Sequence, residues 1–462
     1  MLKPHAYQDR ATAFCKEKKY TYLAVDMGLG KTLITLNWIR DFEHSVLVVA
    51  PLKGCSTTWP DEIAKWTPEQ TFTILHGPDK DYNLKRKRKI YIINYEGLPW
   101  LFESLVKIFK AKKPMPFKAM IIDEGSMVKS HSSKRFKVLK QLKDLCTGGI
   151  VILSGTPAPT SLENLWSQYF LLDKGLRLGK NITTFLSTYF DRSAYCAFKY
   201  TLKSPEHAEI IYKKIEDITF RLEAADYLDL PDQIDNIIKV VIPPSLMLQY
   251  KELEKKFFLE LEGEKFSAAS AATKSMKLRQ FVQGGLYNEI EEGVTSRKYK
   301  LIHTEKLDAL KDLVEEANGQ GILCAIQFRF ELDMIREVFP NAPIIAGPRP
   351  GEPKVDFAKV VASWNRGEIP LLLCHPASLS HSVNMQTGSH LLVWYSLPWS
   401  LEHYLQLTKR LHRQGQTQTV ISHHLVAKGT VDELIMKALA TKALGQNKLL
   451  DYLKEASYGY KG

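Results

Sequence analysis

The sequence predicts an α/β protein of two lobes, each built on a parallel sheet, with helical insertions between them. Short apolar runs recur between amphipathic segments, first at Val46-Leu47-Val48-Val49-Ala50, Ile90-Tyr91-Ile92-Ile93, Ala119-Met120-Ile121-Ile122 and Ile150-Val151-Ile152-Leu153. A second set follows at Ile322-Leu323-Cys324-Ala325-Ile326, Leu371-Leu372-Leu373-Cys374 and Leu391-Leu392-Val393-Trp394-Tyr395. Continuous rather than alternating apolar character suits strands buried on both faces of a parallel sheet. At 462 residues the chain is also too long for one ordinary core, and two lobes of roughly 150 to 200 residues each are the natural division.

The expected order is a first lobe over 1–160, a helical insertion and linker region over 161–292, a second lobe over 293–446 and a C-terminal tail over 447–462. Between the two sets of apolar runs helical patterns dominate, as at Leu246 to Leu261 with its mixed Lys/Glu face. The small, weakly polar stretch Phe266 to Thr273 reads as a loop.

A net charge of +12 suits a polyanionic partner, although basic proteins without one are common. The six cysteines are scattered with no C-x-x-C pair, which argues against a zinc site and a disulfide framework. No apolar leader follows Met1 and no run reaches the length of a membrane span. A soluble protein of the reducing cytoplasm is expected, with no membrane partner.

The chemistry begins at Asp26-Met27-Gly28-Leu29-Gly30-Lys31-Thr32, between the strand-like run Tyr22 to Val25 and the helical spacing of Leu33 to Ile39. Glycines let backbone N–H groups approach a phosphate, Lys31 can reach the outer phosphates and the Thr32 hydroxyl can ligate Mg2+. The general phosphate-loop pattern would want glycine where the chain has Val25. Asp123-Glu124-Gly125-Ser126 follows the strand-like Ala119 to Ile122, which places two acids at the carboxyl end of a buried strand, where ligands bind in open α/β sheets. Asp123 is the candidate metal ligand beside Thr32, and Glu124 the group that polarises the attacking water. Ser154-Gly155-Thr156-Pro157 follows the next strand and on its own reads equally as a turn.

Gln406, Arg410 and Arg413 fall at i, i+4 and i+7, one face of a helix ending near Gln414-Gly415-Gln416. Alone this is a solvated basic face; beside a phosphate loop the two arginines become candidate fingers for charge on a transferred phosphoryl group. The five cations Lys85 to Lys89 serve equally as phosphate contacts or as a hydrated loop.

Taken together these motifs resemble the SWI/SNF-like group of superfamily-two helicase-type ATPases, in the compact form often encoded by bacteriophages. Pro4 to Gln8 resembles the segment whose glutamine reads adenine; Asp26 to Thr32, Val48 to Pro51 with Thr58-Trp59, Asn94 to Glu96 and Leu153 to Pro157 resemble further motifs of the first lobe. Arg221 to Pro231 resembles the linker between lobes, and Gln327 to Arg329, Val383 to Gln386, Gln406 to Gln416 and Gly429 to Glu433 those of the second.

The resemblance implies two RecA-like lobes, ATP and Mg2+ as cofactors, and double-stranded DNA as partner to a monomer, working in the host cytoplasm if phage-encoded. It places Gln8, Met27, Gly28, Leu29, Gly30, Lys31, Thr32 and Gln406 on the nucleotide and gives the catalytic work to Lys31, Asp123, Glu124, Arg410 and Arg413. Lys53, Thr58, Asn94, Ser154, Gly155, Thr156, Gln327, Ser382 and Asn384 are its nucleic-acid candidates. The nucleotide is expected in a cleft between lobes whose closure assembles the site. Ser126 replaces the histidine that usually ends the acid box, so the coupling contact of that histidine is weakened or supplied elsewhere. Ser380 to Asn384 stands where related chains are glycine-rich. The expected activity is ATP-driven translocation on duplex DNA; the alternatives are a strand-separating DNA or RNA helicase and a nucleotide-gated clamp that hydrolyses little.

Overall fold

The computed structural model describes residues 4–155, 157–158, 161–192, 200–227, 230–263, 276–288, 298–346, 356–379 and 384–458. The expected loop Phe266 to Thr273 lies outside them, as do Thr156 and Ser382. The chain divides into two compact units, one of residues 1–228 with 442–462 and the other of 229–441. The stretch 161–292 is therefore shared between the two. No described helix is long and apolar enough to cross a membrane.

Among the described residues of the first unit, seven strands form one sheet: β1 (Tyr20–Val25), β2 (Val46–Ala50), β3 (Phe72–Ile74), β4 (Ile90–Asn94), β5 (Ala119–Asp123), β6 (Gly149–Ser154) and, after a ribbon of β7 (Phe190–Arg192) and β8 (Tyr200–Leu202), β9 (Thr219–Leu222). Their order is β3-β4-β2-β5-β6-β1-β9, and every pair is parallel. Alternate side chains fill two cores, one on each face. Tyr22, Leu47, Val49, Met120, Ile122 and Ile152 pack against helices that include Leu98–Lys110, Lys134–Leu142 and Leu165–Asp173. Leu23, Val25, Val48, Ile121, Val151 and Leu153 pack against helices Ala6–Lys18, Lys31–Arg40 and Trp59–Trp66. Burial on both faces is the reason these strands read as unbroken apolar runs.

The second unit holds β10 (Gln233–Val240), the ribbon β11 (Gly285–Tyr287) and β12 (Tyr299–Leu301), then β13 (Ile322–Ala325), β14 (Ile344–Ile345), β15 (Leu371–Cys374), β16 (Leu391–Trp394) and β17 (Val420–Ala427). Its main sheet runs β10-β17-β16-β13-β15-β14, again with every pair parallel. Helices Glu305–Glu316 and Arg329–Val338 cover one face through Leu310, Leu313, Leu332 and Ile335. The fold class is the one expected, two parallel α/β sheets. Strands β9 and β10 fall in the stretch where helical patterns dominate the sequence.

Candidate nucleotide site and nucleic-acid elements

Strands β1 and β5 flank β6 in the first sheet, so the loop after β1, the acids after β5 and the segment after β6 leave one sheet edge side by side. The loop after β1 turns through Gly28 and Gly30, at φ of 92° and 77°, a region open to glycine at little steric cost. A side chain at Gly30 would in addition place its Cβ 2.4 Å from Gln8 Nε2. Lys31 and Thr32 open the helix Lys31–Arg40, whose first N–H groups and dipole favour an anion. Met27 is half-buried and Leu29 fully buried.

Gln8 is fixed rather than free to wander. Its Oε1 accepts from His5 N at 2.8 Å, and its Nε2 donates to the Leu29 carbonyl at 3.0 Å. The amide thus ties the start of helix Ala6–Lys18 to the phosphate loop. Tyr227 packs on Tyr7 at 4.5 Å and receives an Arg10 hydrogen bond of 2.8 Å.

Lys31 Nζ donates to the Val25 carbonyl at 3.0 Å, and a Cβ on Gly155 would sit 3.9 Å from that ammonium. Asp123 Oδ2 accepts from the Trp59 indole at 3.0 Å. Burial pushes the Asp123 carboxyl above its usual range, opposed by the Trp59 N–H and by the Lys31 charge. Glu124 adopts a left-handed backbone, φ 63°, uncommon away from glycine and asparagine and frequent at functional turns. Tyr95 Oη donates to the carbonyls of Asp123 and Glu124 at 2.7 and 3.3 Å, and buried Ser126 donates to Glu124 Oε1 at 3.3 Å. Ser126 therefore touches the acid itself.

Thr32 and Asp123 fit Mg2+, since both are oxygen donors. Among the described residues no group of three or more His, Cys, Asp or Glu could hold a metal.

The nucleic-acid candidates of this unit leave the same edge. Lys53 precedes a single π-helical turn, Gly54–Thr58, after β2, a conformation enriched at functional sites. Asn94 ends β4 and donates to Glu96 at 2.9 Å, which Arg135 holds at 2.8 Å. Ser154 ends β6, fully buried, with Gly155 following. Thr58 Oγ1 and Asn94 Oδ1 are buried and meet no hydrogen-bond partner among the described residues. The cation run behaves differently: Lys89 immediately precedes β4, at the opposite end of the sheet, where its ammonium bonds the Phe42 carbonyl and burial lowers its pKa. Those positions favour a structural role for Lys89 over a contact at the site.

In the second unit, helix Leu401–Leu411 carries Gln406 and Arg410, both buried. Arg413 lies two residues past the helix end, so the single helical face expected for all three residues holds for Gln406 and Arg410 only. The backbone leaves the helix at His412, and Gln416 Nε2 lies within donating distance of the carbonyls of Gln386, Ser389 and Leu411, at 3.0, 3.0 and 3.3 Å. The helix is anchored by Tyr404, which bonds His424 at 2.9 Å and stacks on Trp394 at 4.8 Å. Gln327 follows β13, and its Nε2 is buried with no partner among the described residues; Asn384 is exposed, its carbonyl accepting from Asn365 at 2.9 Å.

Three polar centres were not legible as sites in the sequence. Asp26 pairs with Arg221 of β9 at 2.8 Å, both nearly buried, and also accepts from Ala224 N at 3.1 Å. The two residues are 195 positions apart, so no local spacing marks the pair. Lys306 pairs with Asp432 at 2.6 Å in the second unit. Glu331 caps helix Arg329–Val338, its Oε2 accepting from Gln327 N, Phe328 N and Ser396 Oγ at 2.7, 3.0 and 3.0 Å.

Burial pushes the Glu331 carboxyl from its usual 4.5 up to about 7, against the pull of those donors. The folded state thus keeps this proton at pH values where the unfolded chain has lost it, and this group's contribution to stability falls as pH rises from 4.5 to about 7. Glu331→Gln removes the dependence. Urea midpoints of the two proteins are expected to shift in favour of the variant between about pH 5 and about pH 8; a constant difference across that range would show that Glu331 ionises normally.

The sequence is similar to those of several known proteins. The SNF2-related domain family matches residues 7–284, more than half of the chain. Protein p41 of Acyrthosiphon pisum secondary endosymbiont phage 1 is 31% identical over 475 residues, covering 98% of each chain. The CHD3-type chromatin-remodeling factor PICKLE of Arabidopsis thaliana is 23% identical over 97% of this chain, which spans 34% of that protein's length. A solved Sulfolobus solfataricus SWI2/SNF2 ATPase core in complex with dsDNA is 22% identical, covers 99% of this chain and 95% of its own, and gives a TM-score of 0.44. The chain belongs to the SNF2-related family and is a nucleic-acid-dependent ATPase of helicase superfamily two, related to chromatin remodellers.

Proposed function

We propose that this protein is an ATP-driven translocase on double-stranded DNA that remodels or displaces what is bound there. One observation carries the reading: the nucleotide residues Lys31, Thr32 and Asp123 and the nucleic-acid candidates Lys53, Thr58, Asn94, Ser154 and Gly155 leave the same edge of one sheet. A change at the phosphates is then felt within a few residues of the DNA contacts. The excess of positive charge and the family's chromatin-remodelling members favour duplex DNA as the track.

In this reading Gln8 reads the base, the amides from Gly28 to Thr32 with the Lys31 ammonium hold the phosphates, and Glu124 takes the proton of the attacking water. Thr32 and Asp123 hold Mg2+, which when bound neutralises charge on the phosphate oxygens. Arg410 and Arg413 stabilise the charge that develops on the transferred phosphoryl group, and Gln406 contacts the nucleotide. Gln327 and Asn384 contact the nucleic acid. The protein acts as a monomer inside the cell, in the host cytoplasm where a phage encodes it.

Displacement of a third strand from a DNA triplex tests this against strand separation. ATP-dependent release of the third strand, with a forked duplex left intact, is the expected result. Unwinding of the fork would assign the protein to the strand-separating helicases, and neither reaction despite DNA binding would leave a nucleotide-gated clamp.

A further inference from the structure

Helix Leu165–Asp173 is buried on every side from Leu165 to Leu172, and apart from Ser167 and Gln168 those residues are aliphatic or aromatic. Gln168 has no exposed surface at all. A buried amide is costly unless its donors and acceptor are used. Here they are: Oε1 accepts from Tyr22 Oη at 2.7 Å, and Nε2 donates to the carbonyls of Pro157 and Asn164 at 2.8 and 2.9 Å.

The partners matter more than the count. Tyr22 stands on β1, the strand that feeds the phosphate loop, and Pro157 lies just beyond β6, which ends at Ser154. The acid turn touches the same point: a Cβ on Gly125 would lie 3.0 Å from Gln168 Oε1, 3.3 Å from Tyr22 Oη and 2.5 Å from Ile152 Cγ2. Gly125 therefore presses its backbone on the amide with no room for a side chain. The phosphate-loop strand, the acid turn and the chain just beyond β6 meet on one side chain.

We propose that Gln168 is a positioning residue that couples the nucleotide side of the first unit to Pro157, beyond the end of β6. A displacement of the acid turn or of β1 during turnover moves the amide, and the amide moves the Pro157 carbonyl. The proposal rests on the DNA-driven reading above. An apolar core residue would fill the same space without linking these elements, so the useful comparison keeps the volume and removes the bonds.

The test measures ATP turnover without DNA and with saturating duplex for the natural chain, Gln168→Met, Tyr22→Phe and the double variant. Tyr22→Phe keeps the ring stack on Tyr169, at 5.1 Å, and loses only the hydroxyl. Duplex that binds the folded state can only raise the folded fraction, so loss of stability alone does not lower the ratio of stimulated to basal turnover. Gln168→Met is expected to lower that ratio roughly two- to thirty-fold. Tyr22→Phe should lower it in the same direction, and the double variant should be no worse than Gln168→Met, because both changes cut one path. A stimulated natural chain whose ratio is the same in Gln168→Met, or in which the two substitutions simply add, overturns the proposal alone. A natural chain that duplex does not stimulate overturns the reading beneath it, and this proposal with it.

Discussion

Glu124→Gln is expected to bind ATP and DNA as the natural chain does while its turnover falls roughly 10²- to 10⁴-fold, the range for loss of a positioned general base. The substitution is nearly isosteric, and the amide oxygen can still accept the Ser126 hydrogen bond made at 3.3 Å. It cannot take a proton from water. The left-handed turn at φ 63° is a backbone property, which Tyr95 holds through the carbonyls of Asp123 and Glu124, so it survives the change. Single-turnover phosphate release, with nucleotide affinity measured alongside, separates the two effects. Turnover within tenfold of the natural chain would mean that another group handles the proton.

The largest expected loss of stability lies in the second unit, at Lys306. Its ammonium, on a side chain only 1% exposed, donates to Asp432 Oδ2 at 2.6 Å, Gln283 Oε1 at 2.9 Å and the Tyr395 carbonyl at 3.1 Å. Three donors meet three acceptors, which leaves no proton unsatisfied. Asp432 in turn accepts from Gln283 Nε2 and Ala427 N at 3.3 and 3.2 Å, so the pair pins helix Glu305–Glu316 to the start of helix Val431–Tyr458. Lys306→Met removes the cation and leaves a buried carboxylate, at a cost of about 3 to 5 kcal/mol. Adding Asp432→Leu removes the stranded charge and should recover most of that loss, since buried ion pairs exchange for apolar packing at little net cost. Urea unfolding of the two variants reads the difference; a double variant no better than Lys306→Met would show that the pair stabilises through its geometry and not by charge balance.

Much of this architecture was legible in the sequence because parallel sheets bury both faces. The runs at Val46, Ile90, Ala119, Ile150, Ile322, Leu371 and Leu391 all became strands, for that reason. Strand β10, Gln-Ile-Asp-Asn-Ile-Ile-Lys-Val, escaped notice because it is an exposed edge whose polar residues break the pattern. Strand β9 is only four residues long and contains Arg221, whose charge hides a buried position that exists to bind Asp26. Along the site, the glycine-rich loop and the paired acids announced themselves through local spacing. Their supports, Trp59 on Asp123, Tyr95 on the acid turn and Gln168 on Pro157, come from distant segments, and only the folded sheet brings them to one edge. Arg413 shows the reverse limit: helical spacing continued on paper past Leu411, while the backbone leaves the helix at His412, and the Gln416 amide lies against the Leu411 carbonyl.

The most direct test of the central claim is steady-state ATP turnover by the purified protein, alone and with duplex DNA, single-stranded DNA and RNA, with Glu124→Gln beside it to exclude a contaminating ATPase. Turnover that duplex DNA stimulates most strongly, and that disappears in Glu124→Gln, is the expected result. Turnover that single strands or RNA stimulate more than duplex, or that no nucleic acid changes, would contradict it.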